Sequence, residues 1–197
     1  MRVTEIRIAG FGGQGVILSA VVLGKAASIY ENDFATMTQN FGPEARGGAS
    51  SAQLVVSDAP VLYPYVTQPD IMVIMSQEAY NRFAHELKPG GLLIIEEDLV
   101  RVADLKGDPK VYAIPATRFA EEIGKRMVLN SVMLGFFTAV TKLLSADAVR
   151  KAVADSVPPA FREPNLRAFE RGHEYGVTVL AAGVSRPELE ALAFSEE

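Results

Sequence analysis

The chain has 197 residues, 19 Lys and Arg against 24 Asp and Glu, a net charge of −5, and no cysteine. The mild acidity argues against a general nucleic-acid binder, which carries a basic face. The lack of cysteine excludes disulfides, thiolate nucleophiles, Cys-ligated zinc and any iron–sulfur cluster held by cysteines of this chain.

A chain of this size buries roughly 70% of its unfolded surface, so one domain without a metal or disulfide staple is expected. That domain is placed at residues 1–180, with 181–197 as a C-terminal tail. Met1 to Glu5 leads straight into a strand-like run rather than a secretory signal. The apolar stretches stay short of the roughly 20 residues a membrane helix needs. A cytoplasmic protein that uses neither membrane nor nucleic acid is expected.

Glu5 to Ala9 alternates polar and apolar residues and then turns on glycine, which predicts a strand. Val16 to Tyr30 follows with a broad apolar face at helical spacing. Phe34 to Gln39 reads as a second strand. Asn40 to Ser51, NFGPEARGGASS, holds a proline and three glycines and predicts a loop. Ala52 to Ser57 is strand-like again. Asp58 to Asp70 carries three prolines and two tyrosines and is expected to be extended and irregular. Within it, Val61 to Val66 either folds onto its own core or lies in a subunit interface.

Ile71 to Met75 is a continuous apolar strand of the kind buried on both faces. Ser76 to Leu87 predicts a helix capped by Ser76 and stopped by Lys88-Pro89-Gly90-Gly91. Leu92 to Ile95 and Lys110 to Ile114 are further strands. Thr117 to Lys125, Asn130 to Leu144, Ala146 to Ala154 and Asn165 to Tyr175 read as helices, and residues 186–197 as a frayed end. Alternating strands and helices predict a three-layer, Rossmann-like α/β sandwich with a helical C-terminal portion. Two strands without an intervening helix between Phe34 and Ser57 make the sheet mixed, though mostly parallel.

Glycines 10, 12 and 15 of GFGGQG satisfy G-x-G-x-x-G between a strand and a helix. A helix N-terminus offers unpaired N–H groups and partial positive charge to a phosphate. Nicotinamide binding also wants an acid about 20 positions on, at the end of the second strand. Glu31 and Asp33 precede that strand, and Gln39 and Asn40 stand at its end. Tight strand–helix packing, contact with a phosphate or polar partner, and NAD or FAD binding by a stand-alone oxidoreductase all remain open, the last weakened by the misplaced acids.

Arg46, between Pro43 and the pair Gly47-Gly48, sits in a loop after a strand end, where open α/β sheets bind ligands. Its planar fork suits phosphate or carboxylate, though a solvated surface arginine fits equally. Asn130 is expected to cap the longest apolar helix. Gly135 inside that helix costs nearly 1 kcal/mol relative to alanine and so predicts a close helix crossing. His85 and His173 fall on polar helix faces without metal-ligand spacing.

Taken together, RIAGFGGQGVILSAVVLGKAA, QNFGPEARGGASSAQLVVSDAP, YPYVTQPDIMVIMSQEAY, VLNSVMLG and NLRAFERG resemble the gamma subunits of 2-oxoacid:ferredoxin oxidoreductases. The resemblance spans Arg2 to Gly176 and is most similar to the 2-oxoglutarate, or KorC-type, branch, with the pyruvate and branched-chain ketoacid branches close behind. It departs at Asn40-Phe41, where Ser-Tyr is usual, and at Leu129, where Ala is common.

It implies a complex that turns a 2-oxoacid, coenzyme A and oxidised ferredoxin into acyl-CoA, carbon dioxide and reduced ferredoxin. Thiamine diphosphate, Mg and [4Fe-4S] clusters would lie on alpha and beta subunits, and on a delta subunit where one exists. This chain would bind no cofactor alone, would be inactive alone, and would contribute no catalytic residue. Gly12, Gly13, Gln14, Gly15, Arg46, Gly47 and Asn130 match the family's motifs as contacts to coenzyme A or to a companion subunit; Asn165 matches a later asparagine.

Overall fold

The computed structural model describes residues 1–40, 49–103 and 105–183. Among them β1 (Val3–Phe11) leads to α1 (Val16–Lys25), then to β2 (Phe34–Asn40), β3 (Ala49–Ser57) and β4 (Ile71–Ile74). Next come α2 (Gln77–Phe83), β5 (Leu92–Glu96), β6 (Lys110–Ile114) and α3 (Ala116–Glu122). The chain continues with α4 (Leu129–Thr141), α5 (Ala146–Ser156) and α6 (Pro159–Ala182).

The strands form one sheet in the order β2-β3-β1-β4-β5-β6. β1, β4, β5 and β6 pair in parallel, while β3 runs antiparallel between β1 and β2. The expected mixed sandwich is what forms. Alternation along β1 assigns its two faces. Ile6 and Ile8 join the core beneath α1, α3, α4, α5 and α6, and Ala9 joins the smaller core beneath α2.

Arg7 points to the second face and is 4% exposed. Burial lowers its pKa, and the nearby Glu86 carboxylate works against that shift. Arg7 pairs with Glu86 at 2.7 Å, lies 4.9 Å from the Phe83 ring centroid and donates to the Val66 carbonyl at 3.4 Å. Gln53 accepts the Val66 N–H at 3.2 Å. The proline-rich connection is thereby held at Val66, which is buried, while Leu62, Tyr63 and Tyr65 stay exposed. One end of it therefore folds onto its own sheet and its tip does not.

Several element boundaries differ from those read in the sequence. β3 begins at Ala49, so Ala49 to Ser51 are strand rather than loop; Gly10 pairs with Ser50 and Phe11 with Ala49 across the ladder. Pairing with β1 overrides the local turn signal there. Residues 41–48 of the expected loop lie outside the described residues. The helix at Val16 changes after Lys25 to a π-helical turn, Ala26–Tyr30.

α4 stops at Thr141 because Lys142 takes a left-handed conformation, φ 50°. α6 runs far past the expected Asn165 to Tyr175. Pro158 and Pro159 start it instead of breaking the chain. Asn165 Nδ2 donates to the Phe161 carbonyl at 2.8 Å, near the hydrogen bond that Pro164 cannot make.

The close crossing predicted from Gly135 is present between α4 and α6. A Cβ there would overlap the Phe169 carbonyl oxygen and sit 2.8 Å from the His173 nitrogen. A Cβ on Gly172 would meet the Val132 carbonyl in the same way. Ser131 Oγ donates to Asn165 Oδ1 at 2.6 Å, so the pair is also fastened by a buried hydrogen bond. His173 is half-buried at this seam and stacks on Phe169, centroids 6.1 Å apart, rather than lying on a polar face.

Gly135→Ala raises helix propensity but forces two backbones apart. We expect it to lower unfolding free energy by about 3 kcal/mol in a denaturant titration. A stability equal to wild type would refute the contact.

Candidate functional site

The parallel strands all end on one edge of the sheet, and the strand order reverses there between β1 and β4. In open α/β sheets this switch point is the ligand crevice. Here the chain fills it. After β1 the backbone turns, with Gln14 N–H donating to the Phe11 carbonyl at 3.2 Å. Gly13 (φ 93°) and Gly15 (φ 74°) adopt left-handed conformations that glycine takes without steric cost.

Gln14 then reaches back. Its Oε1 accepts the Phe11 N–H at 2.7 Å, and its Nε2 donates to the Met75 carbonyl at 2.9 Å. One neutral amide thus joins the ends of β1 and β4 across the crevice. Gly10 makes room, since a Cβ there would lie 2.5 Å from Gln14 Oε1.

Gly15 is crowded by a different neighbour. A Cβ on it would lie 2.7 Å from Asn130 Cγ. Asn130 is buried and is the second residue of α4, whose preceding Val128 provides no side-chain cap. Asn130 is therefore not the N-cap expected from sequence; it packs across the first turn of α1. Gly12 and Gly13 differ from both. Each is exposed, and among the described residues a Cβ on either would meet nothing within 4 Å.

The outward side of the turn borders a cleft of about 360 Å³ lined by Gly13, Gln14, Leu99, Thr117, Arg126 and Leu129. Phe11, Leu99 and Met127 are exposed at this edge. Arg126 is also engaged by Glu121, Nε donating at 2.7 Å.

Sequence reasoning missed Glu96, which holds the far wall. It is fully buried at the end of β5 and accepts the Leu99 N–H at 2.7 Å and the Thr117 N–H at 2.9 Å. A glutamate ending an apolar strand was its only signal. Desolvation raises its pKa above the ordinary carboxylate range, and the hydrogen bonds it accepts oppose that rise.

Arg46 and Gly47 lie outside the described residues. The strands on either side nonetheless bring Asn40 and Ala49 to the edge that carries the glycine turn. The two acids near the ribose position go elsewhere. Asp33 pairs with Arg2 at 2.6 Å and Glu31 accepts the Ser145 N–H at 2.6 Å, both at the opposite edge, before β2 begins. β3 also separates β2 from β1, so the end of β2, where dinucleotide binding wants its acid, is not adjacent to the glycine turn's strand.

The fold and site define a Rossmann-like α/β domain whose nucleotide crevice is occupied by its own glutamine. The pyruvate ferredoxin/flavodoxin oxidoreductase family model matches residues 5–175, and the chain belongs to that family. It is 48% identical over 172 residues to the 2-oxoglutarate synthase subunit KorC of Methanocaldococcus jannaschii, covering 86% of this chain and 92% of that relative.

Its fold matches the crystal structure of a keto/oxoacid ferredoxin oxidoreductase gamma subunit from Geobacter sulfurreducens with TM-score 0.82 and 38% identity, over 90% of this chain and 98% of that one. A 2-oxoglutarate:ferredoxin oxidoreductase from Magnetococcus marinus, solved with 2-oxoglutarate, coenzyme A and succinyl-CoA bound, shares the fold at TM-score 0.77 and 22% identity. That match spans 89% of this chain and 31% of that one.

Two measurements test the site. Gln14→Leu removes both bridging hydrogen bonds and leaves the Phe11 N–H and Met75 carbonyl without them. We expect a loss of about 1–3 kcal/mol in chemical denaturation; a loss near zero would show that the bridge contributes nothing.

Glu96 retains its proton to higher pH folded than unfolded, so its contribution to stability is full in acid and declines as pH rises through the raised pKa. The melting-temperature difference between wild type and Glu96→Gln should therefore move against wild type as pH rises above the ordinary glutamate value of about 4.3. A difference that stays flat as pH rises contradicts the assignment.

Proposed function

We propose that this chain is the gamma subunit of a 2-oxoglutarate:ferredoxin oxidoreductase. The complex converts 2-oxoglutarate, coenzyme A and oxidised ferredoxin into succinyl-CoA, carbon dioxide and reduced ferredoxin. The observation that carries the reading is the glycine turn itself. Gln14 closes it inward and Gly12-Gly13 leave it open outward, on a chain with no cysteine to hold a cluster.

In this reading thiamine diphosphate with its Mg and the [4Fe-4S] clusters reside on companion alpha and beta subunits, or on a delta subunit where one is present. Thiamine diphosphate supplies the carbanion chemistry there. This subunit works in the cytoplasm and supplies one wall of the acyl-transfer site. Residues 1–180 act as one domain. The cysteine-free composition fits a chain that leaves electron transfer to its companions.

Gly12 and Gly13 admit another backbone or a ligand to close range. Arg46 and Gly47 face the same partner or the coenzyme A phosphates. Gln14, Gly15 and Asn130 hold the turn in shape from behind. Among the described residues no helix is long and apolar enough to cross a membrane.

The test is Arg46→Ala in the complex reassembled with its companion subunits, assayed by 2-oxoglutarate-dependent viologen reduction. A charge-assisted contact of about 1.5–3 kcal/mol predicts a rise in the KM for coenzyme A of about tenfold or more, with thiamine binding unaltered. An unchanged KM in the complex that forms, together with a reduced yield of assembly, would assign the loop to subunit contact alone. Turnover by the isolated chain, or tight capture of NADH, would overturn the reading.

A further inference from the structure

Large apolar side chains are also exposed at the end of the sheet opposite the glycine turn. Val3, Ser57 and Phe34 form one row across β1, β3 and β2, on the face away from the larger core, and Val3 and Phe34 are exposed there. At about 3.3 Å per residue, the nine residues of β1 put Val3 about 26 Å from Phe11.

The proline-rich connection from Asp58 to Asp70 leaves from that row. Its return at Val66 is held by Gln53 and Arg7, paired residues of β3 and β1 on the same face. The connection therefore crosses the surface of β3. Its outer side carries Leu62, 95% exposed, with Tyr63 and Tyr65, each more than half exposed. Isolated exposed leucines are ordinary, whereas a contiguous apolar patch marks a contact surface.

The tip is also held in shape. Pro60, Pro64 and Pro69 restrict its backbone. At one end the Ala59 N–H donates to Ser57 Oγ at 3.1 Å, and at the other the Lys88 N–H donates to the Pro69 carbonyl at 3.1 Å. Tyr63 and Tyr65 pack edge to face with ring centroids 5.6 Å apart. Side chains fixed before binding lose little freedom on contact, and aromatic anchors gain affinity in this way.

The surrounding charge selects the partner. The connection carries Asp58 and Asp70 and no cation. Asp70 pairs with Lys88 at 2.7 Å, and Asp33, beside Phe34, pairs with Arg2 at 2.6 Å. Among the described residues Glu5 and Asp58 form no ion pair. Burial raises the Glu5 pKa, and the Asp70 carboxylate raises it further against the opposing Lys88. A second copy in a two-fold contact would set these carboxylates against their own equivalents. The complement is a surface of opposite sign.

We propose that the Leu62–Tyr65 tip, with Val3 and Phe34, docks into an apolar, basic-rimmed groove of a companion subunit. The inference rests on the reading of this chain as one subunit of a larger oxidoreductase. It gives the chain a second contact face, so assembly does not depend on the glycine-turn edge alone.

The test is a Leu62→Asp/Tyr65→Asp double variant of the full chain, titrated against companion alpha and beta subunits. It should bind about a hundredfold more weakly than wild type, with its melting temperature and the viologen reduction per assembled complex unchanged. Wild-type affinity would overturn this face alone. A wild-type chain that binds no companion would overturn the functional reading with it.

Asp58→Asn keeps an acceptor for the Arg2 N–H and removes only the charge. It should slow association about threefold at low salt and leave it unaltered in about 0.5 M salt, where charge is screened. A wild-type rate at low salt would overturn the basic rim and the proposal with it. Sedimentation of the isolated chain covers the remaining case. Self-association that the double variant abolishes would assign the patch to a second copy and replace the companion as occupant.

Discussion

The architecture of the site depends on one side-chain amide. Peptide groups at strand ends lack ladder partners, and the crevice between β1 and β4 leaves a donor on Phe11 and an acceptor on Met75. Gln14 is the right length and carries both complementary groups. A carboxylate would lack the donor, and a hydroxyl would be too short to span both strands. The amide ties the two strand ends together, and the open cleft begins on the outward side of the turn. The same glycine spacing that serves nucleotides elsewhere is thereby turned outward, to the exposed pair Gly12-Gly13.

The turn is supported from behind by packing that begins in the longest helices. Gly135 and Gly172 bring the α4 and α6 backbones into contact closer than any side chain allows. That contact fixes α4, and α4 in turn sets Asn130 against Gly15. A glycine that looks like a nucleotide motif residue is thus required by a helix whose own position is fixed by two other glycines. Glu96 acts similarly on the far side, tying the Leu99 loop to the start of α3 through two backbone donors. Each support is neutral or buried, so the rigidity of this edge owes little to surface ion pairs, which contribute about 0–1 kcal/mol.

Much of the architecture was legible in the chain. Hydrophobic patterning located each strand among the described residues, and the absence of a helix between Phe34 and Ser57 foretold the mixed sheet. Gly135 announced the α4–α6 crossing through its propensity cost alone. Where the reading slipped, long-range pairing had overruled a local signal. Ser50 and Ser51 look like loop residues until β1 pairs with them. Asn165 looks like a helix start, yet α6 already runs through Pro164, and Asn165 donates to the Phe161 carbonyl beside it. Asn130 looks like a cap because capping is a local habit of asparagine, whereas its contact with Gly15 joins residues far apart in sequence.

The sequence by itself determined the fold class, the absence of cysteine chemistry and the family, because these follow from composition, periodicity and ordered motifs. It could not determine which way the glycine turn faces. That depends on where the Gln14 amide finds its partners, and Met75 comes within reach only after β4 has docked against β1. Likewise, the distance between the glycine turn and the end of β2 was decided by sheet order. An antiparallel β3 lies between β1 and β2, and strand order is a property of the packed sheet rather than of any segment in it.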